Sequence, residues 1–143
     1  MIWKKSGNLI MIRFEDGEKF FEKLKEVIKE TKIGGSIIVS CVGQLKDVEI
    51  AYYSKEERKY YTKILKEVFE VLNMSGNISF YDNEIVIHAH VTLGNKNFSC
   101  IGGHLNEAIV NSTLELFLIE TPVKLEKIVD KNTGLKILNF KSQ

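Results

Sequence analysis

The feature that most constrains this chain is the stretch HAHVTLGNKNFSCIGGHL, residues 88 to 105, which contains all three histidines of the protein. The β-branched run that precedes it predicts that His88 and His90 continue a strand. Two residues apart on a strand, they share a face with Cα atoms about 7 Å apart. With His104 returning from a glycine turn, three imidazoles could hold one ion and leave a coordination position open, as at a reactive zinc.

The same histidines also have a structural interpretation that involves no metal. Histidine is intermediate in burial and often forms local hydrogen bonds, so the three could stabilise a sheet edge or a subunit contact. Gly102 and Gly103 likewise have two interpretations. A sharp turn with positive φ that delivers His104 is favoured over a close backbone approach to a ligand.

Length and composition indicate one domain, residues 1–143, that can bury a core without disulfides or a metal. No apolar stretch is long enough to span a bilayer, and the first residues lack a secretory signal, so we expect a cytoplasmic protein with no membrane partner. Cys41 and Cys100 each lie in a run typical of a strand, which predicts two buried free thiols.

Charge does not mark the chain as a nucleic-acid binder, because 20 Lys and Arg residues oppose 19 Asp and Glu residues for a net charge of +1. The segment SKEERKYYTK, residues 54 to 63, predicts an exposed loop or a short helical turn. Its cations could meet phosphate while Tyr60 and Tyr61 stack on bases. A solvated connection is favoured, since Glu56 and Glu57 lie among the cations.

The periodicity predicts one secure helix over residues 17–31, with Asp16 as its N-cap and the Gly34-Gly35 pair ending it. Most of the remaining apolar runs predict strands, including a hairpin from residues 36–42 and 47–53 and a closing pair around residues 131–134. Turns or bulges are expected at residues 73–77, 82–83 and 94–95. The pattern therefore predicts an α+β fold with a mostly antiparallel, partly barrel-like sheet packed on one main helix.

Four stretches, taken in order, resemble the PPC domain, the plant and prokaryote conserved domain. The resemblance implies a highly curved antiparallel sheet around one helix, and a homotrimer. Plant members join the domain to AT-hooks and bind DNA, whereas this chain has no such hook and carries Glu67-Val68 where plant members often have Gly-Arg. The stretches are FEVLNMSGNIS (69–79), HAHVTLG (88–94), GGHLNEAIV (102–110) and STLELFLIE (112–120).

The His-x-His and Gly-Gly-His pattern is also similar to the zinc site of the acetolactate decarboxylases. That likeness implies that His88, His90 and His104 are zinc ligands, with Glu70 as a nearby carboxylate able to move a proton. Arg13, or a cation of a neighbouring subunit, would hold a substrate carboxylate.

Three functions follow from the residues and the two resemblances. The first is a DNA-binding or regulatory homotrimeric module with a three-histidine metal site. The alternative is a zinc-dependent hydrolase or lyase that acts on a small carboxylated metabolite. The third is an assembly protein that binds no metal, and the sequence leaves open whether the protein is an enzyme.

Overall fold

The computed structural model describes residues 1–140, so the last three residues of the predicted domain lie outside the described residues. Strands dominate this part of the chain, which contains one helix. In chain order the elements are β1 (Ile2–Ser6), β2 (Leu9–Glu15), α1 (Phe20–Thr31), β3 (Ser36–Ser54), β4 (Lys59–Tyr81), β5 (Glu84–Gly94), β6 (Cys100–Glu120), β7 (Lys127–Val129) and β8 (Lys136–Leu138).

The main sheet has the order β1-β2-β6-β3-β4-β5, and all its neighbouring strands are antiparallel. One end of β5 also pairs with the first residues of β6. This extra pairing joins β6, β3, β4 and β5 into a partial ring that stays short of a closed barrel. The predicted α+β class and curved antiparallel sheet are therefore confirmed.

Helix α1 packs its apolar side against the sheet, where it contacts β6 and β5. Phe20, Leu24, Val27 and Ile28 are buried on that side, in agreement with the predicted helical spacing. The ring of Phe20 lies 5.4 Å from that of Phe14 on β2. Each such side chain contributes about 1.5–3 kcal/mol through burial, so the helix is anchored mainly by packing.

The helix ends differ from the prediction. Lys19, rather than Asp16, occupies the N-cap position and makes no side-chain cap, while Asp16 accepts a hydrogen bond from the Ser112 backbone N–H at 2.9 Å. At the other end, Lys32 adopts the left-handed conformation at φ 54° before the glycine pair is reached. The predicted cap residue instead ties the start of the helix region to β6.

The predicted hairpin from residues 36–42 and 47–53 is wrong, because both runs belong to the single strand β3. A register shift at Gly43, whose φ is 133°, bends this strand without reversing it. A Cβ at Gly43 would lie 2.2 Å from the Thr113 carbonyl oxygen, so only glycine fits this bulge. The exposed loop or helical turn predicted for residues 54–63 is shorter in the structure, where only residues 55–58 form the turn that joins β3 to β4.

The turn or bulge predicted at residues 73–77 is not a turn, because these residues lie inside β4, but a bulge-like register shift between Val71 and Asn73 adjoins the start of this segment. The closing pair is confirmed as β7 and β8, which form a separate two-stranded sheet. Of the two thiols, Cys41 is buried and free, and burial raises its pKa to about 12. Cys100 is exposed, so the prediction of burial is wrong there: it begins β6 opposite Gly94 at the open end of the sheet.

Within residues 1–140, no helix has the length and apolar character needed to cross a bilayer.

Gly76 provides a test of how tightly β4 and β5 approach each other. A Cβ there would lie 1.9 Å from the His88 carbonyl oxygen, so we expect Gly76→Ala to force these strands apart and cost about 3 kcal/mol of unfolding free energy. Chemical denaturation measures the loss. Gly94→Ala is the matched control, because its Cβ would meet only the flexible Leu72 side chain at 3.2 Å. Equal stabilities for the two variants would contradict the close approach.

Candidate metal centre

Strand β5 places His88 and His90 on one face, as the alternation predicts. Their neighbours Ile87, Ala89 and Val91 are buried in the core, so the two histidines point from the opposite face of the sheet. His88 is half-buried and His90 is exposed. The β-branched run before them thus sets both the strand and the face.

His104 reaches the same place from β6 through the pairing that closes the ring of strands. It lies opposite His90 in the β5–β6 register and opposite Ala51 in the β3–β6 register. The ring centroids of His88 and His90 are 5.2 Å apart, and His104 lies 5.2 Å from His88 and 5.4 Å from His90. One ring nitrogen from each lies within 4.8 Å of the others, so the three predicted ligands converge.

The glycine pair before His104 serves a different purpose from the one expected. Gly102 and Gly103 lie inside β6, and neither has a positive φ, so the predicted turn is wrong. A Cβ at Gly102 would lie 2.3 Å from the Val91 carbonyl oxygen, and one at Gly103 would lie 2.9 Å from that of Ala51. The glycines therefore let β6 approach β5 and β3 closely enough to bring His104 to the site.

The environment keeps the imidazoles of His88 and His104 in the neutral form that a metal requires. Burial, followed by the charges of Lys127 and the other histidines, lowers the pKa of His88 to about 4. The pKa of His104 is also lowered, first by burial and then by His90 and Lys127. Both rings are therefore neutral at pH 7, and a neutral ring offers a free nitrogen lone pair to a metal ion.

The histidines line a cavity of about 1030 Å³ between the sheet and the C-terminal hairpin of β7 and β8. Tyr60 lies beside His104 with ring centroids 5.8 Å apart, and Tyr53 lies 5.0 Å from Tyr60. The Tyr53 hydroxyl donates a 2.7 Å hydrogen bond to the Thr133 carbonyl. This contact ties the covering hairpin to the sheet.

Two further polar residues in this cavity are absent from the sequence prediction. Lys127 is buried, with 7% of its surface exposed, and Asn77 lies directly opposite His88 in the β4–β5 register. The Asn77 Oδ1 is buried and has no hydrogen-bond partner among the described residues. The sequence held one signal for Lys127: it follows Leu125 by two positions and so takes a place on the same inward face.

The structure does not bring Glu70 or Arg13 to the histidines within one subunit. Glu70 accepts a 2.6 Å hydrogen bond from Gln44 Nε2 and lies opposite Gly94, five positions along β4 from the partner of His90. Arg13 is on β2, where its guanidinium lies 3.7 Å from the Glu15 carboxylate. Their assigned roles stay predictions.

The tyrosines of the 54–63 segment have separate surroundings. Tyr60 faces the cavity, whereas the Tyr61 hydroxyl donates to Glu57 and its ring lies 4.6 Å from the Lys59 ammonium. Lys59 also forms a 2.5 Å ion pair with Glu57. These exposed contacts agree with a solvated connection at residues 55–58, whereas residues 59–63 of the predicted connection belong to β4.

The sequence matches the profile of the Plants and Prokaryotes Conserved (PCC) domain over residues 1–122. This is the domain abbreviated PPC above. A comparison with curated protein sequences finds no significant match.

Solved structures with this fold include a plant- and prokaryote-conserved protein of Pyrococcus horikoshii. It is 30% identical, with a TM-score of 0.85 and coverage of 99% of this chain and 97% of that one. A protein of Bacteroides thetaiotaomicron, provisionally described as DNA-binding, is 25% identical with a TM-score of 0.91, covering 97% and 96%. A metal-containing protein of Archaeoglobus fulgidus is 29% identical with a TM-score of 0.84, covering 97% and 99%.

Proposed function

We propose that this chain, which belongs to the Plants and Prokaryotes Conserved (PCC) domain family, binds one zinc ion through His88, His90 and His104. The observation that carries the proposal is the convergence of three ring nitrogens within 4.8 Å of one another in a cavity. The similar protein of Archaeoglobus fulgidus is metal-containing, which agrees with metal binding by this fold.

The spacing of the nitrogens suits a tetrahedral ion after small side-chain rotations. Zn–N distances near 2.0–2.1 Å at tetrahedral angles place ligand nitrogens about 3.3 Å apart. Three histidines fill three of the four positions, and as neutral-imidazole ligands they would add no negative charge. Imidazole nitrogens are suitable ligands for zinc, and also for copper and nickel.

A three-histidine zinc site also supports the alternative function, a hydrolase or lyase acting on a small carboxylated metabolite. Zinc held in this way lowers the pKa of a bound water and polarises a carbonyl oxygen. Glu70 as the proton-transferring group and Arg13 as the carboxylate-binding group require a neighbouring subunit, because neither lies in the cavity of its own subunit. A cytoplasmic location and a single domain over 1–143 remain part of the proposal.

Metal analysis tests the site directly. Protein purified without added metal and then loaded with zinc should hold one ion per chain, and His88→Ala should weaken binding at least about 100-fold because it removes one of three ligands. Mass spectrometry of the native protein and a competing chelator measure stoichiometry and affinity.

Thr92→Ala is the matched control, since Thr92 is the next outward residue on β5 after His90 and offers no ligand nitrogen. It should retain full binding. If the wild-type protein takes up no zinc, the zinc proposal is wrong and the third function, an assembly protein that binds no metal, is favoured.

We also propose that the protein is a homotrimer, as the family resemblance implies. The neighbouring strands β3 and β4 expose several large apolar side chains, which are costly to leave in water and suit burial against a second copy. These side chains are Ile37, Val39, Val42, Ile64, Val68 and Leu72.

Light scattering should give a mass near three times the 16.4 kDa of one chain. Val68→Glu should shift the protein toward monomers, because the new charge would have to be buried at the contact. Glu67→Gln, at the adjacent exposed position, should leave the mass unchanged. A monomeric wild-type protein at micromolar concentration would exclude the trimer.

A DNA-associated role is the second candidate function, and one surface favours it. Lys25, Lys29 and Lys32 of the α1 region and Lys124 border a groove of about 700 Å³ next to the β4–β5 turn. Such a cluster can contact phosphates even on a chain of net charge +1. The similar protein of Bacteroides thetaiotaomicron is provisionally described as DNA-binding, which agrees with this candidate.

Titration of duplex DNA at 50 mM and 200 mM salt measures this activity. If the groove contacts phosphates, affinity for DNA should fall steeply as the salt concentration rises. The double variant Lys29→Glu with Lys32→Glu should bind DNA more weakly, and its affinity should depend less on salt. The control is the double variant Lys55→Glu with Lys63→Glu, which makes the same change of charge in the β3–β4 turn and on β4. It should bind DNA as tightly as the wild type does. Negligible binding at low salt would remove the DNA-associated role.

A further inference from the structure

We propose that the cavity above the histidines binds a small organic monocarboxylate, whose charged group lies between the metal position and the ammonium of Lys127. The inference rests on the proposed zinc site, and it names the class of ligand that this site would receive. It also assigns the anion-binding role to a residue of the C-terminal hairpin, beyond the segment 1–122 that matches the family profile.

Lys127 is in an unusual position for a lysine, because it is buried without an acidic partner. Only 7% of its surface is exposed, and its ammonium donates one hydrogen bond, 3.2 Å long, to the Lys136 carbonyl. Among residues 1–140, no carboxylate forms an ion pair with it. An ammonium has three donors, so a bound anion would supply the missing acceptors and the missing charge.

The hairpin that carries Lys127 is held firmly over the histidines. The Phe80 backbone N–H donates to the Leu125 carbonyl at 2.8 Å, and the Leu125 N–H donates to that of Gly34 at 2.9 Å. At the far end, Tyr53 donates to Thr133. Lys127 is therefore positioned before a ligand arrives, which reduces the entropy that binding must overcome.

The position of Lys127 also relates it to the histidines. Lys127 and all three histidines line the same cavity, and the charge of Lys127 is felt at both His88 and His104. A carboxylate has two oxygens, so one can occupy the open metal position while the other accepts from the ammonium.

The rest of the lining favours a carboxylate with an apolar body over a phosphate. Aliphatic and aromatic side chains form most of the wall, as is usual for sites that bind small organic ligands. The cavity's other lysine, Lys136, places its ammonium 4.2 Å from the ring centre of Tyr81. A dianionic phosphate would find few further donors here. The apolar and aromatic lining residues include Tyr53, Tyr60, Val86, Leu135 and Ile137.

Cobalt(II) loaded in place of zinc makes ligand binding visible, because its absorption changes when a ligand enters the open position. Benzoate, acetate and inorganic phosphate are titrated into the cobalt-loaded full chain. We expect saturable binding with benzoate tightest, and Lys127→Met should weaken benzoate about tenfold or more through the lost charge-assisted hydrogen bond. Lys127→Arg should restore much of that affinity, whereas a merely structural lysine would show no such rescue.

Lys131→Met is the matched control, because Lys131 is an exposed lysine in the turn between β7 and β8 and does not line this cavity. It should bind benzoate as the wild type does. Each variant is first checked for one metal per chain and for its Tm. Lys127→Met should fold at least as stably as the wild type, since an unpaired buried charge is costly.

The outcomes separate this inference from the zinc proposal. A wild-type chain that holds no metal overturns both. Two outcomes overturn the inference alone, provided that the metal binds normally. Either benzoate leaves the cobalt spectrum of the wild type unchanged, or it binds to Lys127→Met as tightly as to the wild type. Phosphate binding that is tighter than benzoate binding would overturn the assignment of the ligand class.

Discussion

The pairing of β5 with the start of β6 is the interaction on which the rest of the site depends. It closes four strands into a partial ring and sets His90 directly opposite His104. The pairing is possible because Gly102 allows the Val91 carbonyl to approach where any side chain would collide with it. A single steric constraint therefore links the shape of the sheet to the convergence of the imidazoles.

Successive side chains of β5 point alternately to its two faces, and the two faces have different roles. One face buries Ile87, Ala89 and Val91 in the core beneath the sheet. The other carries His88 and His90 into a cavity that the C-terminal hairpin covers. Burial lowers the pKa of His88 and His104, so these two rings are neutral at pH 7 and offer nitrogen lone pairs to a metal ion.

The errors in the predicted turns and the predicted hairpin have a common physical cause. Gly102 and Gly103 were expected in a turn and Gly76 in a turn or bulge, since glycine favours turns locally, but each instead permits close contact with a neighbouring strand. The single strand β3 resembled a hairpin for the same reason, because a bulge at Gly43 interrupts an apolar pattern much as a turn does. The local sequence around a glycine does not indicate which distant segment of backbone will pack against it.

What the sequence by itself determined is local: the spacing of apolar residues specified α1, and alternation along β5 placed His88 and His90 on one face. The sequence also offered His104 as the third ligand, and the family resemblance implied a sheet that curves around one helix. Only the tertiary structure decided that Lys127 and Asn77 share the cavity with the histidines, while Glu70 and Arg13 do not. The physical reason is that cross-strand register depends on pairings between segments far apart in the chain, which no local pattern specifies.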